Sequence, residues 1–262
     1  MTEPNARHAD ENFTQARAAA VVAGLQFFDH VGETGSTNAD LVARAASGAV
    51  EPGLRVADHQ TAGRGRLDRR WDDIRGGQLL VSFLFPIGED PPQQRASAVA
   101  AAARAGLEGL GVPVRFKWPN DLLLVEGPAP GKVAGLLSEF VNQNGPAVVV
   151  GLGLNVEPVP VEGATSLAEA GCATTRDQVL RSLLEHLPER IADPQLVRQE
   201  LVAYSATIGQ QVRVELPDRT LVGRAQGLDH DGALVIDDGV QQHHVGVGDV
   251  IHLRSAQHPG AT

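Results

Sequence analysis

At 262 residues, with 42% hydrophobic and 21% charged residues, the chain is long enough for one large domain or for a large and a small one. Its formal net charge of −10 argues against nonspecific binding to DNA or to anionic membranes, and its single cysteine, Cys172, excludes an internal disulfide and a cysteine metal cluster. No apolar run approaches the roughly 18 residues of a membrane span, and the polar first 14 residues lack the apolar core of a signal peptide, so we expect a cytoplasmic protein.

The N-terminal part is predicted to contain a disordered tail (residues 1–13), an alanine-rich helix (14–26) and a short strand (27–31). Ser36, Thr37 or Asn38 would then cap a helix over residues 39–46, whose first backbone amides would be free to meet an anion or a polar ligand. Simple helix capping is the alternative. We expect no helix-turn-helix domain before this point, which counts against a DNA-binding repressor.

A strand over residues 54–57 leads into a segment rich in glycine and arginine, the arginine loop (residues 58–71). Its glycines let the backbone approach a ligand and stay mobile, and its arginines suit carboxylate and phosphate oxygens. A tryptophan at its end could stack on a flat base. A solvated basic loop and a nucleic-acid patch are the alternatives. The candidate residues are Gln60, Gly63, Arg64, Gly65, Arg66, Arg69 and Trp71.

A third group of candidates follows a predicted strand (78–85), a helix (94–110) and a short run at 114–116. Lys117, Asn120 and Asp121 lie within five residues of one another around a proline that bars a regular central strand, and packing alone explains them poorly. Lys132 follows a glycine at the start of another strand-like run. We reject a phosphate-binding P-loop here, because the spacing is wrong and Val133 stands where Ser or Thr is required.

The run over residues 148–156 is predicted to be a buried strand. Strand alternation places three apolar side chains on one face of the strand. The other face has two glycines, which carry no side chain, followed by the amide of an asparagine. Such a face suits the close approach of a ligand. It is not a dinucleotide fingerprint, because Val156 occupies the third glycine position. The bare face consists of Gly151, Gly153 and Asn155.

The C-terminal third changes character after residue 208. Residues 175–205 carry a helical pattern of leucines. Short alternating runs then follow at 212–216, 220–225, 233–236 and 241–245, joined by turn-forming pairs. We therefore predict a catalytic domain over residues 14–207 and a small β-barrel over residues 208–262.

Taken together, five blocks of the sequence resemble the biotin protein ligases. They are residues 35–38, Gln60 with 63–66, 117–121, 131–132 with 134–135, and 151–156. The resemblance implies an α+β fold like that of class II synthetases, with a central mixed β-sheet flanked by helices and a C-terminal SH3-like barrel. It also implies an enzyme that uses ATP and Mg²⁺ to convert biotin to biotinyl-5′-AMP. The biotin then passes to a lysine of the biotin carboxyl carrier domain of an acyl-CoA carboxylase. The chain resembles the members that lack an N-terminal DNA-binding domain.

The resemblance also implies roles for individual residues. Lys117 would stabilise the α-phosphate, Lys132 would hold the carboxylate or the acyl-phosphate oxygen, and Arg66 is a further catalytic candidate. Asp121 would bind the metal or activate the acceptor amine, and these two roles stay open. Biotin would contact Ser36, Thr37, Asn38, Gln60, Arg64, Gly65, Arg66 and Lys132, and the adenylate would contact Gly63, Arg69, Trp71, Asn120 and Asn155.

The arginine loop would close over the intermediate and protect it from water. Asp68 stands where the family loop usually has glycine, and we expect weaker retention of the intermediate. Two other functions are compatible with parts of the pattern. A lipoate ligase shares the fold but carries an arginine-and-triple-glycine signature that is absent here, and a non-enzymatic biotin-sensing regulator would need a winged helix and a basic face.

Overall fold

The computed structural model describes residues 12–66, 69–88, 91–216, 219–246 and 248–252. Seven strands form one mixed sheet: β1 (Phe27–Val31), β2 (Gly53–Ala57), β3 (Gln78–Pro86), β4 (Val114–Lys117), β5 (Asp121–Leu124), β6 (Gly131–Val141) and β7 (Ala147–Asn155). Their order is β1-β2-β3-β7-β6-β5-β4. The β1–β2 pair is parallel and the other five pairs are antiparallel. The predicted central mixed sheet is confirmed.

The apolar runs of the sequence become the central strands because they are buried on both faces. Strand β3 is buried at every position except Pro86, and β7 pairs with it along its whole length. Phe83 and Val150 pack in the largest hydrophobic core, whereas Leu84 and Val149 pack on the other side of the sheet. This continuous burial makes the middle of the sheet a rigid support for the side chains that β3 and β7 present.

Five helices pack around this sheet: α1 (Thr14–Val22), α2 (Thr37–Ala46), α3 (Pro92–Gly109), α4 (Arg176–Ala192) and α5 (Pro194–Ala203). Helices α3 and α4 touch closely because Gly106 has no side chain. A Cβ there would lie 2.9 Å from the Leu183 nitrogen. The predicted helical stretch 175–205 is divided at Asp193, which caps α5 by accepting hydrogen bonds from Gln195 N and Leu196 N at 3.0 Å. Among the described helices, none is long and apolar enough to cross a membrane.

The N-terminal part differs from its prediction at two points. Residues 1–11 of the predicted tail lie outside the described residues, but Phe13 is not part of a disordered tail. It is only 1% exposed, and its ring packs against His30 and the guanidinium of Arg176. Helix α1 ends at Val22 instead of residue 26, because Gly24 adopts a positive φ of 77° and stops the helix.

The C-terminal part forms a second, antiparallel sheet: β8 (Gln211–Glu215), β9 (Thr220–Leu228), β10 (Leu234–Asp237), β11 (Gln242–Val245) and β12 (Asp249–His252). Its order is β11-β10-β9-β8-β12. Four of these strands confirm the predicted runs, and β12 was not foreseen. Within the described residues the two outer strands do not pair with each other, so this sheet is open. The SH3-like barrel therefore stays a prediction.

The two sheets meet at the segment after β4. Trp118 packs on the core of the C-terminal sheet, and its indole Nε1 donates to Gly232 O at 3.2 Å. The backbone nitrogen of Trp118 donates to the hydroxyl of Thr207 at 3.1 Å. Arg198 of α5 adds hydrogen bonds to the carbonyls of Leu228 and Asp229. The C-terminal sheet is thus held close to the end of β4.

His252 at this junction makes stability depend on pH. Burial, and then the nearby positive charge of Lys117, lower the pKa of His252 below its ordinary value. The hydroxyl of Thr207 lies 3.2 Å from His252 Nε2 and can donate to the neutral ring. Folding therefore favours the neutral form of the His252 ring. The stability that this preference gives to the folded state is present above the unfolded pKa of about 6.5, and it is lost as pH falls through the folded pKa.

We expect the melting temperature to fall more steeply below pH 6.5 in the wild type than in His252→Gln. Parallel curves for the two proteins would contradict this.

Candidate functional site

A cleft of about 870 Å³, counted to its open mouth, lies over β3, β7 and β6. It is closed on one side by the start of α2, on another by the arginine loop, and at one end by β12. Most of the candidate residues meet here. Those that line the cleft are Ser36, Thr37, Asn38, Gln60, Arg64, Gly65, Arg66, Arg69, Trp71, Asn120, Asp121 and Lys132.

The floor of the cleft is the bare face of β7. A Cβ on Gly151 would lie 2.3 Å from the amide oxygen of Asn38, and a Cβ on Gly153 would lie 2.4 Å from the indole of Trp71. Both contacts are far shorter than van der Waals distance, so neither position can hold a side chain without moving its neighbour. Gly151 and Gly153 therefore line the cleft, as strand alternation indicated, and their contact with a ligand stays a prediction.

One end of the cleft is lined by neutral polar groups. Ser36 caps α2, with its hydroxyl 3.4 Å from Ala39 N, so the capping interpretation holds for this residue. The next residue, Thr37, donates from its backbone nitrogen to Gln60 Oε1 at 2.8 Å, and its hydroxyl lies 2.7 Å from that of Ser82. These groups are buried. This polar end, defined as Thr37, Asn38, Gln60 and Ser82, offers hydrogen bonds but no net charge.

Ser82 and Glu139 are not among the residues that were predicted from the sequence. Ser82 is a lone hydroxyl in an otherwise apolar strand, and it donates to Asn38 Oδ1 at 2.6 Å. The carboxylate of Glu139 accepts from Asn38 Nδ2 at 2.8 Å and from Arg64 at 3.2 Å. Alternation along β6 would have placed Glu139 on the same face as Gly135, which was a usable signal.

The other end of the cleft is cationic. Lys132 Nζ lies 2.7 Å from Asp121 Oδ1 and 5.5 Å from the centre of the Trp71 ring. Lys132 reaches this face because the register between β5 and β6 shifts by one residue, so that Leu122 and Leu123 oppose Ala134 and Lys132. The resulting bulge at Val133 turns the lysine side chain toward the cleft. The chain contains only two lysines, Lys117 and Lys132.

In the described part of the arginine loop, residues 63–65 pair with residues 69–71 as the two arms of a short hairpin beside the cleft. Gly65 N donates to Arg69 O at 2.7 Å, and Trp71 N donates to Gly63 O at 3.0 Å. Gly63 does not line the cleft. It is required by the hairpin, since a Cβ there would lie 2.6 Å from Trp71 O. Asp68, for which we predicted weaker retention of the intermediate, lies outside the described residues.

Two arginines of this hairpin contact the C-terminal sheet. Arg66 donates to Asn120 Oδ1 and to Gly248 O, each at 3.3 Å, and Arg69 forms an ion pair with Asp249. Burial lowers the pKa of Arg66, against the opposite influence of Asp249 and Asp121, and the hydrogen bond with Asp249 raises the pKa of Arg69. Asp249 itself lines the cleft. The C-terminal sheet is therefore part of the wall of the site.

Two further candidates lie beside the cleft without lining it. The amide of Asn155 is 3% exposed and donates to Thr165 O at 2.9 Å, so it tethers the segment after β7. Lys117 opposes Asp121 across the β4–β5 pair, which puts both residues on one face of the sheet, but its charge acts on His252. Their places in the sequence motifs do not show whether these residues line the cleft or hold the residues that line it.

The Biotin/lipoate A/B protein ligase family matches residues 34–155, and the Biotin protein ligase C terminal domain matches residues 207–253. A biotin--[acetyl-CoA-carboxylase] ligase of Mycobacterium tuberculosis is 40% identical over 94% of this chain and 96% of its own length. The bifunctional ligase/repressor BirA of Salmonella typhimurium is 33% identical over 77% of this chain and 67% of its own. A structure of the biotin protein ligase from Aquifex aeolicus in complex with biotin and ATP superposes with a TM-score of 0.72, at 26% identity, over 88% of this chain and 100% of that one.

Proposed function

The chain belongs to the biotin protein ligase family, and from that membership we propose that it activates biotin with ATP and attaches it to a lysine of a biotin carboxyl carrier domain. One observation carries the proposal. A single cleft joins a neutral, hydrogen-bonding end to an end that holds Lys132, Arg66 and Arg69. Biotin has a neutral ureido ring at one end and a carboxylate at the other, so the polar end suits the ring and the cationic end suits the reacting groups.

In the first step, an oxygen of the biotin carboxylate attacks the α-phosphorus of ATP. The bond from that phosphorus to the bridging oxygen breaks, and pyrophosphate leaves with the bonding electrons. The two reactants are anions, so the reaction needs fixed positive charge to bring them together and to stabilise the charge that develops on the phosphoryl oxygens. Lys132 Nζ lies 2.7 Å from Asp121 Oδ1, and Arg66 donates to Asn120 Oδ1 at 3.3 Å. We assign these two cations to the carboxylate and the α-phosphate.

Lys117 and Asn155 have supporting roles in this proposal, and Gly63 permits the hairpin that carries Trp71. Lys117 lies opposite Asp121 across the β4–β5 pair and on the same face of the sheet, and we assign its charge to the phosphate oxygens. Asn155 holds the segment containing Thr165, whose nitrogen in turn donates to Lys132 O at 2.9 Å. Trp71 covers the floor at Gly153 and is assigned to the adenine.

Mg²⁺ is implied by the family, and the residues at the cationic end fit it in part. The fit rests on Asp121. Its Oδ1 is buried, and Lys132 Nζ lies 2.7 Å from it, so this carboxylate already neighbours a cation. Mg²⁺ sites on nucleotides use one or two carboxylates and take their other ligands from phosphates and water. Asp121 would thus supply the protein ligand, and the ion would neutralise phosphate charge. Asp121 as the group that accepts the acceptor lysine's proton stays open beside this role.

In the second step, the amine of the carrier lysine attacks the acyl carbon of biotinyl-AMP. An amide bond forms, AMP leaves, and the amine loses a proton. Water would compete for the same carbon, so the hairpin of the arginine loop is assigned to exclude it. We also propose the division into a catalytic domain over residues 14–207 and a C-terminal domain over residues 208–262. The expected cytoplasmic location rests on the sequence.

The proposal is tested by the exchange of labelled pyrophosphate into ATP. We expect exchange that depends on biotin, is not supported by lipoate, and is followed by incorporation of biotin into a carrier domain. Exchange driven by lipoate would identify a lipoate ligase. Biotin binding without any exchange would identify a regulator. Either result would overturn the proposed function.

A further inference from the structure

Glu139 lies where three elements of the site meet. It stands on β6 opposite Val149 of β7, and helix α2 covers Val149 with Leu41. Strand alternation places Glu139 on the same face of the sheet as Gly135, which lines the cleft. The described pairing of β5 with β6 extends only to Gly135, so Glu139 lies on the outer rim of the sheet. It therefore occupies the border between helix α2 and the cleft.

The two carboxylate oxygens of Glu139 have different partners. Oε2 accepts from the amide nitrogen of Asn38, in the first turn of α2, at 2.8 Å. That amide is buried and also donates to the carbonyl of Leu137 at 3.2 Å, so its position is fixed. Oε1 accepts from the guanidinium of Arg64, in the first arm of the hairpin, at 3.2 Å. Because Asn38 orients the carboxylate, less side-chain freedom remains to be lost in the ion pair with Arg64.

The hairpin of the arginine loop is attached at both ends of the cleft. Arg66 and Arg69 tie it to the cationic end, through Asn120 and the C-terminal sheet. The ion pair of Arg64 with Glu139 ties it to the polar end, beside Asn38. If this second tie is removed, the hairpin can lift from the polar end while the cationic end stays attached.

We propose that Glu139 is a positioning residue, which holds Arg64 and thereby keeps the arginine loop against the polar end of the cleft. This inference rests on the proposed function. It assigns Arg64 the role of a tether, where the resemblance implied a contact with biotin. The consequence is slow release of biotin and of biotinyl-AMP, which keeps the intermediate in place until the carrier domain arrives. The reacting groups lie at the other end of the cleft, so Glu139 takes no part in the chemical step.

The test is a double-mutant cycle on the dissociation rate of biotin. Glutamine at position 139 keeps an acceptor for Asn38, but it places a neutral amide where Arg64 needs a charge. We expect Glu139→Gln to raise the rate about fivefold, the upper range for a partly exposed ion pair. In an Arg64→Ala background the same substitution should change the rate by less than about twofold, because the partner is already gone.

Two results of the cycle would overturn the inference. One is an unchanged dissociation rate in a folded Glu139→Gln protein. The other is an equal effect of Glu139→Gln with and without Arg64, which would show that Glu139 acts on the ligand or on helix α2 and not through the loop.

A second readout separates a tether from a general disturbance of the site. The single-turnover rate of biotinyl-AMP formation, at saturating biotin and ATP, should stay within about twofold of wild type in Glu139→Gln, since Lys132 and Arg66 are untouched. A fall as large as the gain in biotin release would contradict a tether. The difference in release between the two proteins should also shrink at high ionic strength, because salt screens an exposed ion pair. A difference that salt leaves undiminished would contradict the ion pair as its cause.

Glu51→Gln is the matched control. Glu51 pairs with Arg44 of helix α2 at 3.4 Å, and both side chains are partly exposed, but neither residue lines the cleft. Biotin release and biotinyl-AMP formation should both be unchanged in this variant. Absence of biotin-dependent pyrophosphate exchange in the wild type would refute the proposed function. Normal exchange in the wild type, with unchanged release in Glu139→Gln, would refute the tether alone.

Discussion

Lys132→Ala is expected to lower the rate of biotinyl-AMP formation by about 10²–10³-fold, the typical cost of removing one preorganised charge-stabilising donor. Lys132 lies within the cleft beside Asp121, and its side chain is about one-third exposed (35%). Its removal takes away positive charge where two anions must meet and leaves the carboxylate of Asp121 facing them. Both changes raise the energy of the transition state more than that of the separated reactants.

The measurement is the single-turnover rate of biotinyl-AMP formation at saturating biotin and ATP. Lys132→Ala/Asp121→Asn is the informative companion, because it removes the unpaired carboxylate as well. If Lys132 acts on the substrates, the double variant stays nearly as slow as the single one. Recovery of the wild-type rate in the double variant would show that Lys132 serves to neutralise Asp121, and would contradict the assigned role.

Gly153→Val is expected to raise KM for ATP by about 10–100-fold, as overpacking of a close contact costs about 1–3 kcal/mol. A Cβ at this position would lie 2.4 Å from the indole of Trp71, so the ring must leave the floor of the cleft. The indole ring also lies close to Gly135, because a Cβ on Gly135 would be 3.1 Å from the ring. The ring therefore cannot move sideways across the sheet without meeting β6.

Steady-state kinetics at varied ATP would measure this effect, and tryptophan fluorescence would report the displacement, since Trp71 and Trp118 are the two tryptophans of the chain. Gly227→Val is the matched control. It lies in strand β9 with open space around its missing Cβ, so kinetics and melting temperature should be unchanged. An unaltered KM in a folded Gly153→Val protein would show that adenylate binding does not depend on the position of Trp71.

Part of the site could be predicted because it follows from local periodicity. The bare face of β7 needs only the two-residue repeat of a strand, and Ser36 at the start of α2 needs only the rules of helix capping. The central strands were equally readable, because a continuous apolar run such as β3 has to be buried on both faces.

The rest depends on contacts between distant segments. Lys132 faces the cleft because of a bulge, whose position is set by pairing with β5 and not by its own sequence. Asp249 reaches the arginine hairpin from a strand that is 180 residues further along the chain. The hydrogen-bond partners of Asn38, Ser82 and Glu139, come from two other strands, so the segment around Asn38 does not indicate them. No single-segment pattern contains such information.

The scarcity of lysine has a chemical consequence of its own. Biotinyl-AMP is a mixed anhydride that acylates free amines, and any molecule that escapes the cleft meets first the surface of the enzyme that made it. Of the 22 basic residues, two are lysines, and the others hold phosphate equally well while their guanidinium groups stay protonated and resist acylation. Lys132 lies within the cleft, in an ion pair with Asp121, and not on the outer surface of the enzyme. The chain thus offers its own product few places to label, and we expect its composition to limit self-biotinylation.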